Sequence, residues 1–139
     1  MMHNPTIAPA PQTKLALWAG WIMSGLFTLF MIFDAGIKLA QLHFVDDALA
    51  ELGYPLGVGF PIGVLEAILL VLYLVPRTSV LGAVLFTGLF GGAIASHARI
   101  GSPLLTHDLF GVYLGLFAWG GLWLRDVKLR ALFPVRRPQ

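Results

Sequence analysis

The chain has 139 residues, 58% of them hydrophobic and only 12% charged, with a formal net charge of +2 and no cysteine. Soluble domains carry about 25% charged residues, so this composition excludes an ordinary water-soluble domain and points to a single domain with its apolar area facing lipid. The lack of cysteine excludes disulfides, thiolate metal ligands and thiol–disulfide exchange through the protein's own side chains.

Residues 1–14 hold Pro5, Pro9 and Pro11 and no apolar core, so they read as a flexible cytoplasmic N-terminus and not as a cleaved secretory signal. The first apolar run then serves as an uncleaved targeting signal. Leu15 to Phe33 is 19 residues without a charge, enough to cross a hydrocarbon core of about 30 Å at about 1.5 Å per residue. That helix continues through Asp34 and Lys38 to near Gln41, giving a first span over 15–41.

Between Leu42 and Pro55, His43, Asp46, Asp47 and Glu51 alternate with Phe44, Val45, Leu49 and Leu52 at helical spacing. This predicts a short amphipathic helix lying in the interface between spans 1 and 2, ended near Gly53 and Pro55. The second span covers 56–75, is interrupted only by Glu66 and is closed by Pro76. The third covers 78–98 and meets no charge until Arg99. Its Gly82, Ala83, Gly88, Gly91, Gly92, Ala93 and Ala95 predict a tightly packed central helix, with a dimerisation face as the alternative. The fourth covers 106–124 and ends at Arg125, with Thr106 or Ser102 as a cap and Asp108 suited to the helix dipole. Trp18, Trp21, Trp119 and Trp123 fall toward the span ends, where amphipathic rings anchor at headgroup level. Residues 125–139 read as a basic cytoplasmic tail with Leu129 and Leu132 against the membrane surface, suited to anionic lipid heads and not to nucleic acid.

The fold expectation is therefore all-α, an integral membrane bundle of four transmembrane helices. A β-barrel would need alternating apolar and polar residues, and no such alternation occurs. With four spans, Lys14, Arg77, Arg125, Lys128, Arg130, Arg136 and Arg137 share one side, seven of the nine basic residues. The positive-inside rule then places both termini in the cytoplasm.

Ionisable residues within apolar runs are the candidate working parts, because they are costly in hydrocarbon and usually face a bundle interior or a ligand. Asp34 and Lys38 are four apart and share a helix face. Glu66 lies near the middle of its span among apolar neighbours, where a carboxylate needs a cation or donors. His97 and Arg99 close the third span and His107 opens the fourth, at the same outer end as Asp34 and Lys38. Glu66, His97, His107 and Asp34 are the candidate catalytic groups, and Lys38 and Arg99 the candidate ligand-holding cations. A neutral histidine beside a buried acid can shuttle protons to a lipophilic substrate or a quinone. The same histidines and acids would also offer a nitrogen and oxygen set for a divalent metal, but no HxxxH or ExxH spacing supports it. Haem ligation by the two histidines is a further alternative.

These residues carry a resemblance. Gly36-Ile37-Lys38-Leu39, Leu52-Gly53-Tyr54-Pro55, Gly63-Val64-Leu65-Glu66, the stretch from Val75-Pro76-Arg77-Thr78 through Ser96-His97-Ala98-Arg99 to Gly101-Ser102-Pro103, and Trp119-Gly120-Gly121-Leu122-Trp123-Leu124-Arg125-Asp126 together resemble the DoxX-like family of small four-helix bacterial membrane proteins. The resemblance implies a four-span bundle in the bacterial cytoplasmic membrane. The family's links to sulfur and quinone oxidation suggest a lipophilic ligand such as a quinone, with proton-transfer or redox-linked chemistry. Wider relatives that act as receptors or assembly factors suggest the alternative, an accessory subunit or membrane chaperone with a structural polar cluster and a membrane-protein partner. A proton or ion pathway is disfavoured, because the cytoplasmic half is apolar apart from Ser24, Thr28, Tyr73 and Thr87.

Overall fold

Thr13 Oγ1 accepts the Ala16 N–H at 3.1 Å and so starts the first helix, α1 (Lys14–Leu39). In this computed structural model, which describes residues 12–136, five further α-helices follow: α2 (His43–Glu51), α3 (Gly59–Leu74), α4 (Ser79–Arg99), α5 (Phe110–Arg125) and α6 (Val127–Leu132). No strand occurs among the described residues. The expected flexible N-terminus, up to residue 11, and the last three residues of the basic tail lie outside them.

Each long helix buries one stripe. On α1 it is Gly20, Ser24, Phe27, Met31 and Ala35, spaced three or four apart as one face of a 3.6-residue helix requires. On α3 it runs from Gly59 and Gly63 through Glu66 to Leu70 and Tyr73. The stripes meet because α1 packs on α3 and α5, and α4 packs on the same two helices, closing a ring. An aromatic cluster fills the ring. Phe27 meets Tyr73 and Phe86 edge to face at centroid distances of 5.0 and 5.1 Å, and Phe86 stacks on Phe90 at 5.5 Å. The opposite faces carry exposed Trp18, Leu29, Phe33, Val71 and Leu116, the reverse of a soluble surface. By length and composition, α1 with 26 residues and α4 with 21 are able to cross a membrane.

The second apolar run gives a shorter helix than the sequence predicts. Gly57 adopts φ +84°, a left-handed turn, so α3 begins at Gly59 instead of residue 56 and has 16 residues. The fourth run also starts differently. Leu104–Asp108 form a π-helical turn, with the Leu109 N–H reaching the Leu104 carbonyl at 2.9 Å, and α5 follows from Phe110. Neither Ser102 nor Thr106 caps α5, because both hydroxyls engage histidines instead.

The expected amphipathic segment is α2, which turns Val45 and Leu49 toward Gly59 and leaves Asp47 and Glu51 exposed. The small residues of α4 do not all pack as expected. A Cβ on Gly82 would approach Tyr73 N to 2.5 Å, whereas one on Gly88, Gly91 or Gly92 would meet nothing within 4 Å. Of these four glycines only Gly82 is a close-packing position, and Gly88, Gly91 and Gly92 point outward, while the packed face of α4 continues through Phe86 and Phe90 to Ile94 against Gly111. Leu129 departs from expectation as well: α6 folds back so that this side chain is buried in the core, while Leu132 stays exposed.

Candidate functional site

Gly63 sets the geometry of the polar end. A Cβ there would lie 2.8 Å from Lys38 Cβ and 3.2 Å from the Ala35 carbonyl oxygen, so only glycine lets α3 come this close to α1. Three residues further along the same face, Glu66 then reaches across the helix gap. Lys38 Nζ donates to Glu66 Oε1 at 2.7 Å and to Asp34 Oδ2 at 2.5 Å. The Asp34 contact is the i,i+4 pair within α1, and the Glu66 contact joins α1 to α3. Glu66 is 4% exposed, and its second oxygen, Oε2, is buried without a hydrogen-bond partner. The triad thus sets two carboxyl groups against a single ammonium, and one carboxyl oxygen has nothing to bond.

His97 and His107 form a second pair, with ring centroids 5.4 Å apart. Ser102 Oγ lies 3.2 Å from His97 Nδ1 and Thr106 Oγ1 lies 2.8 Å from His107 Nδ1, which leaves each Nε2 free of protein hydrogen bonds among the described residues. The π-helical turn carries His107 back beside the end of α4, and it also leaves Asp108 Oδ1 buried and unpartnered. Among the described residues no hydrogen bond or ion pair links the histidines to the Asp34–Lys38–Glu66 triad. Nor do they contain a group of three or more His, Cys, Asp or Glu side chains placed to hold a metal ion.

Arg99 has a different partner from the other site residues. Its guanidinium donates to the Leu52 carbonyl at the C-terminal end of α2, and the left-handed Gly53 leaves room for it. A cation there satisfies a helix-end carbonyl and suits the negative end of the α2 dipole. Tyr54 OH and Ser96 Oγ, 2.7 Å apart, add a second tie between the same two segments.

A further polar cluster lies at the opposite end of the molecule. Tyr73 OH donates to the Ala118 carbonyl at 2.8 Å and sits 3.0 Å from Ser24 Oγ, which Arg125 Nε approaches at 3.2 Å. Ser24 and Tyr73, isolated exceptions in the sequence, are one network with Arg125 across α1, α3 and α5. No spacing in the sequence signals it, since each residue comes from a different helix.

The described family model, the DoxX-like family, matches residues 22–121. The chain belongs to the DoxX-like family. The match covers every residue of the triad, both histidines and Arg99, and it stops short of Arg125 and α6. DoxX-like proteins are membrane proteins, in keeping with the outward apolar faces of α1 and α4. Comparison with curated proteins and with solved structures gave no match.

Proposed function

We propose that this DoxX-like protein crosses the bacterial cytoplasmic membrane four times, through α1, α3, α4 and α5, with both termini inside. The triad then lies in the outer half and binds the polar end of a lipophilic small molecule. The observation that carries this reading is Glu66 Oε2, an unpartnered carboxyl oxygen in a residue only 4% exposed. Buried polar atoms are almost always paired, and one without a partner calls for a ligand group or a proton. A quinone fits the chemistry: a flat apolar ring system whose carbonyl oxygen takes a hydrogen bond or a proton from a carboxyl group. Lys38 holds Glu66 Oε1 and Asp34 in place, so the free oxygen is the one that exchanges the proton. His97 and His107, at the same end and with His107 exposed, are suited to carry that proton to and from water.

Calorimetric titration of the purified protein with a short-chain quinone tests the ligand class. Saturable binding that weakens by about tenfold or more in Glu66→Gln is expected. Absent binding, or equal binding by the variant, contradicts it.

A second reading rests on the way the cations are used. Lys38 ties α1 to α3 and Arg99 ties α4 to the end of α2, as in an accessory subunit whose polar groups lock its helices. In that case Glu66→Gln keeps full function, since glutamine still accepts from Lys38, and the exposed face of α2 with Asp47 and Glu51 becomes the sensitive surface for a membrane-protein partner.

A further inference from the structure

A cleft of about 320 Å³ opens beside the N-terminal half of α1, at the end of the molecule away from the triad. Its volume is at the lower limit of small-molecule sites, about 300–1,000 Å³. One wall is three turns of α1, from Trp21 to Ile32, roughly 16 Å long at about 1.5 Å per residue. Leu29, Ile32 and Leu74 make that wall apolar, and Gly25 keeps it open, since a Cβ there would meet nothing within 4 Å.

One end of the cleft is positive. Arg125 lines it and has no carboxylate within 4 Å among the described residues. The neighbouring Asp126 is already engaged, because its carboxylate caps α6 by accepting the Lys128 and Leu129 N–H groups. Arg125 is also held in place: Nε donates to Ser24 Oγ, and the guanidinium lies 4.3 Å above the Trp21 ring. Its two terminal nitrogens make no hydrogen bond among the described residues. Ser79, the first residue of α4, reaches the same cleft, and no side chain caps that helix start. The Thr78 and Ser79 hydroxyls both donate to carbonyls of the preceding turn, so the first N–H groups of α4 add positive potential.

We propose that this cleft binds an amphiphile with an anionic head, the head on Arg125 and one aliphatic chain along Leu29, Ile32 and Leu74. A pre-positioned guanidinium with free terminal nitrogens suits a carboxylate or a phosphate. The wall it stands on suits a chain. This site is separate from the triad and does not depend on the quinone reading. A free fatty acid and a membrane phospholipid share the required chemistry.

Native mass spectrometry of the full chain in a neutral detergent distinguishes them, with oleate and dioleoyl phosphatidylglycerol as probes and oleyl alcohol and dioleoylglycerol as uncharged counterparts. The wild type should retain at least one anionic probe about tenfold better than its uncharged counterpart, and the better-retained probe identifies the source. Arg125→Gln should abolish that preference, and Gly25→Leu, which fills the cleft from an open position, should reduce binding of the chain itself. Circular dichroism verifies that both variants fold; if Arg125→Gln does not, Gly25→Leu decides. Equal retention of charged and uncharged probes overturns the proposal. So does a preference that survives Arg125→Gln, or undiminished binding by Gly25→Leu.

Discussion

Lys38 Nζ stands 2.7 Å from Glu66 Oε1, and through this contact a single ammonium serves the carboxyl groups of two helices. Its removal leaves both acids without their cation in a site where Glu66 is almost fully enclosed. Lys38→Met should therefore destabilise the protein by roughly 3–5 kcal/mol, the usual cost of breaking a buried pair from one side. Replacing all three residues by apolar ones of similar volume should recover most of that loss, since no uncompensated charge remains. Thermal unfolding in detergent, followed by circular dichroism, measures both.

The approach of α1 to α3 depends on Gly63, and the outward direction of Gly88 on α4 makes a matched control. Gly63→Leu forces the added carbons against Lys38 Cβ and the Ala35 carbonyl, so a loss of about 1–3 kcal/mol or more is expected, as for overpacked cores. Gly88→Leu adds the same side chain into open space and should leave the melting temperature unchanged or slightly raised, given the better helix propensity of leucine. If the two variants melt alike, the inward and outward assignments of these helices are wrong.

Tyr73 is 1% exposed, and its hydroxyl bridges Ser24 on α1 and the Ala118 carbonyl on α5. Tyr73→Phe keeps the ring contacts with Phe27 and removes only these bonds. A loss of about 1–2 kcal/mol is expected, the cost of a buried hydrogen bond whose partners stay behind. Ser24→Ala in the Tyr73→Phe background should add little, because the two residues belong to one network.

The proposed four-span arrangement can be tested directly, because the chain has no cysteine of its own. Single cysteines at Asp47 and Glu51, both exposed on α2, should react with a membrane-impermeant maleimide added to intact spheroplasts. Cysteines at Arg77 and Lys128 should react only after the membrane is opened. The reverse pattern would invert the orientation, and labelling of all four from outside would refute the span assignment.

Much of the helical layout is legible in the sequence, because run length and charge-free stretches mark α1 and α4 whatever their partners. The start of α3 is not, since Gly57 within an apolar run looks like any helical glycine until its left-handed φ is known. The inner face of α4 is equally hidden. Its residues are apolar or small all round, and in lipid no polarity contrast separates the side that packs from the side that does not. Of the candidate site, the Asp34–Lys38 pair follows from its i,i+4 spacing. That Lys38 also holds Glu66, that Arg99 serves the Leu52 carbonyl and that Ser24, Tyr73 and Arg125 meet are all contacts between helices, set by close approaches that spacing along one chain does not encode.

The most direct test of the triad as a binding site is the intact mass of the protein released from mild detergent, wild type beside Glu66→Gln. A small-molecule adduct on the wild type, reduced in Glu66→Gln and retained in Arg125→Gln, is the expected result, and its mass would identify the ligand class. The bare mass in both proteins, or an adduct that Glu66→Gln leaves untouched, would contradict it and leave the triad as a lock between α1 and α3.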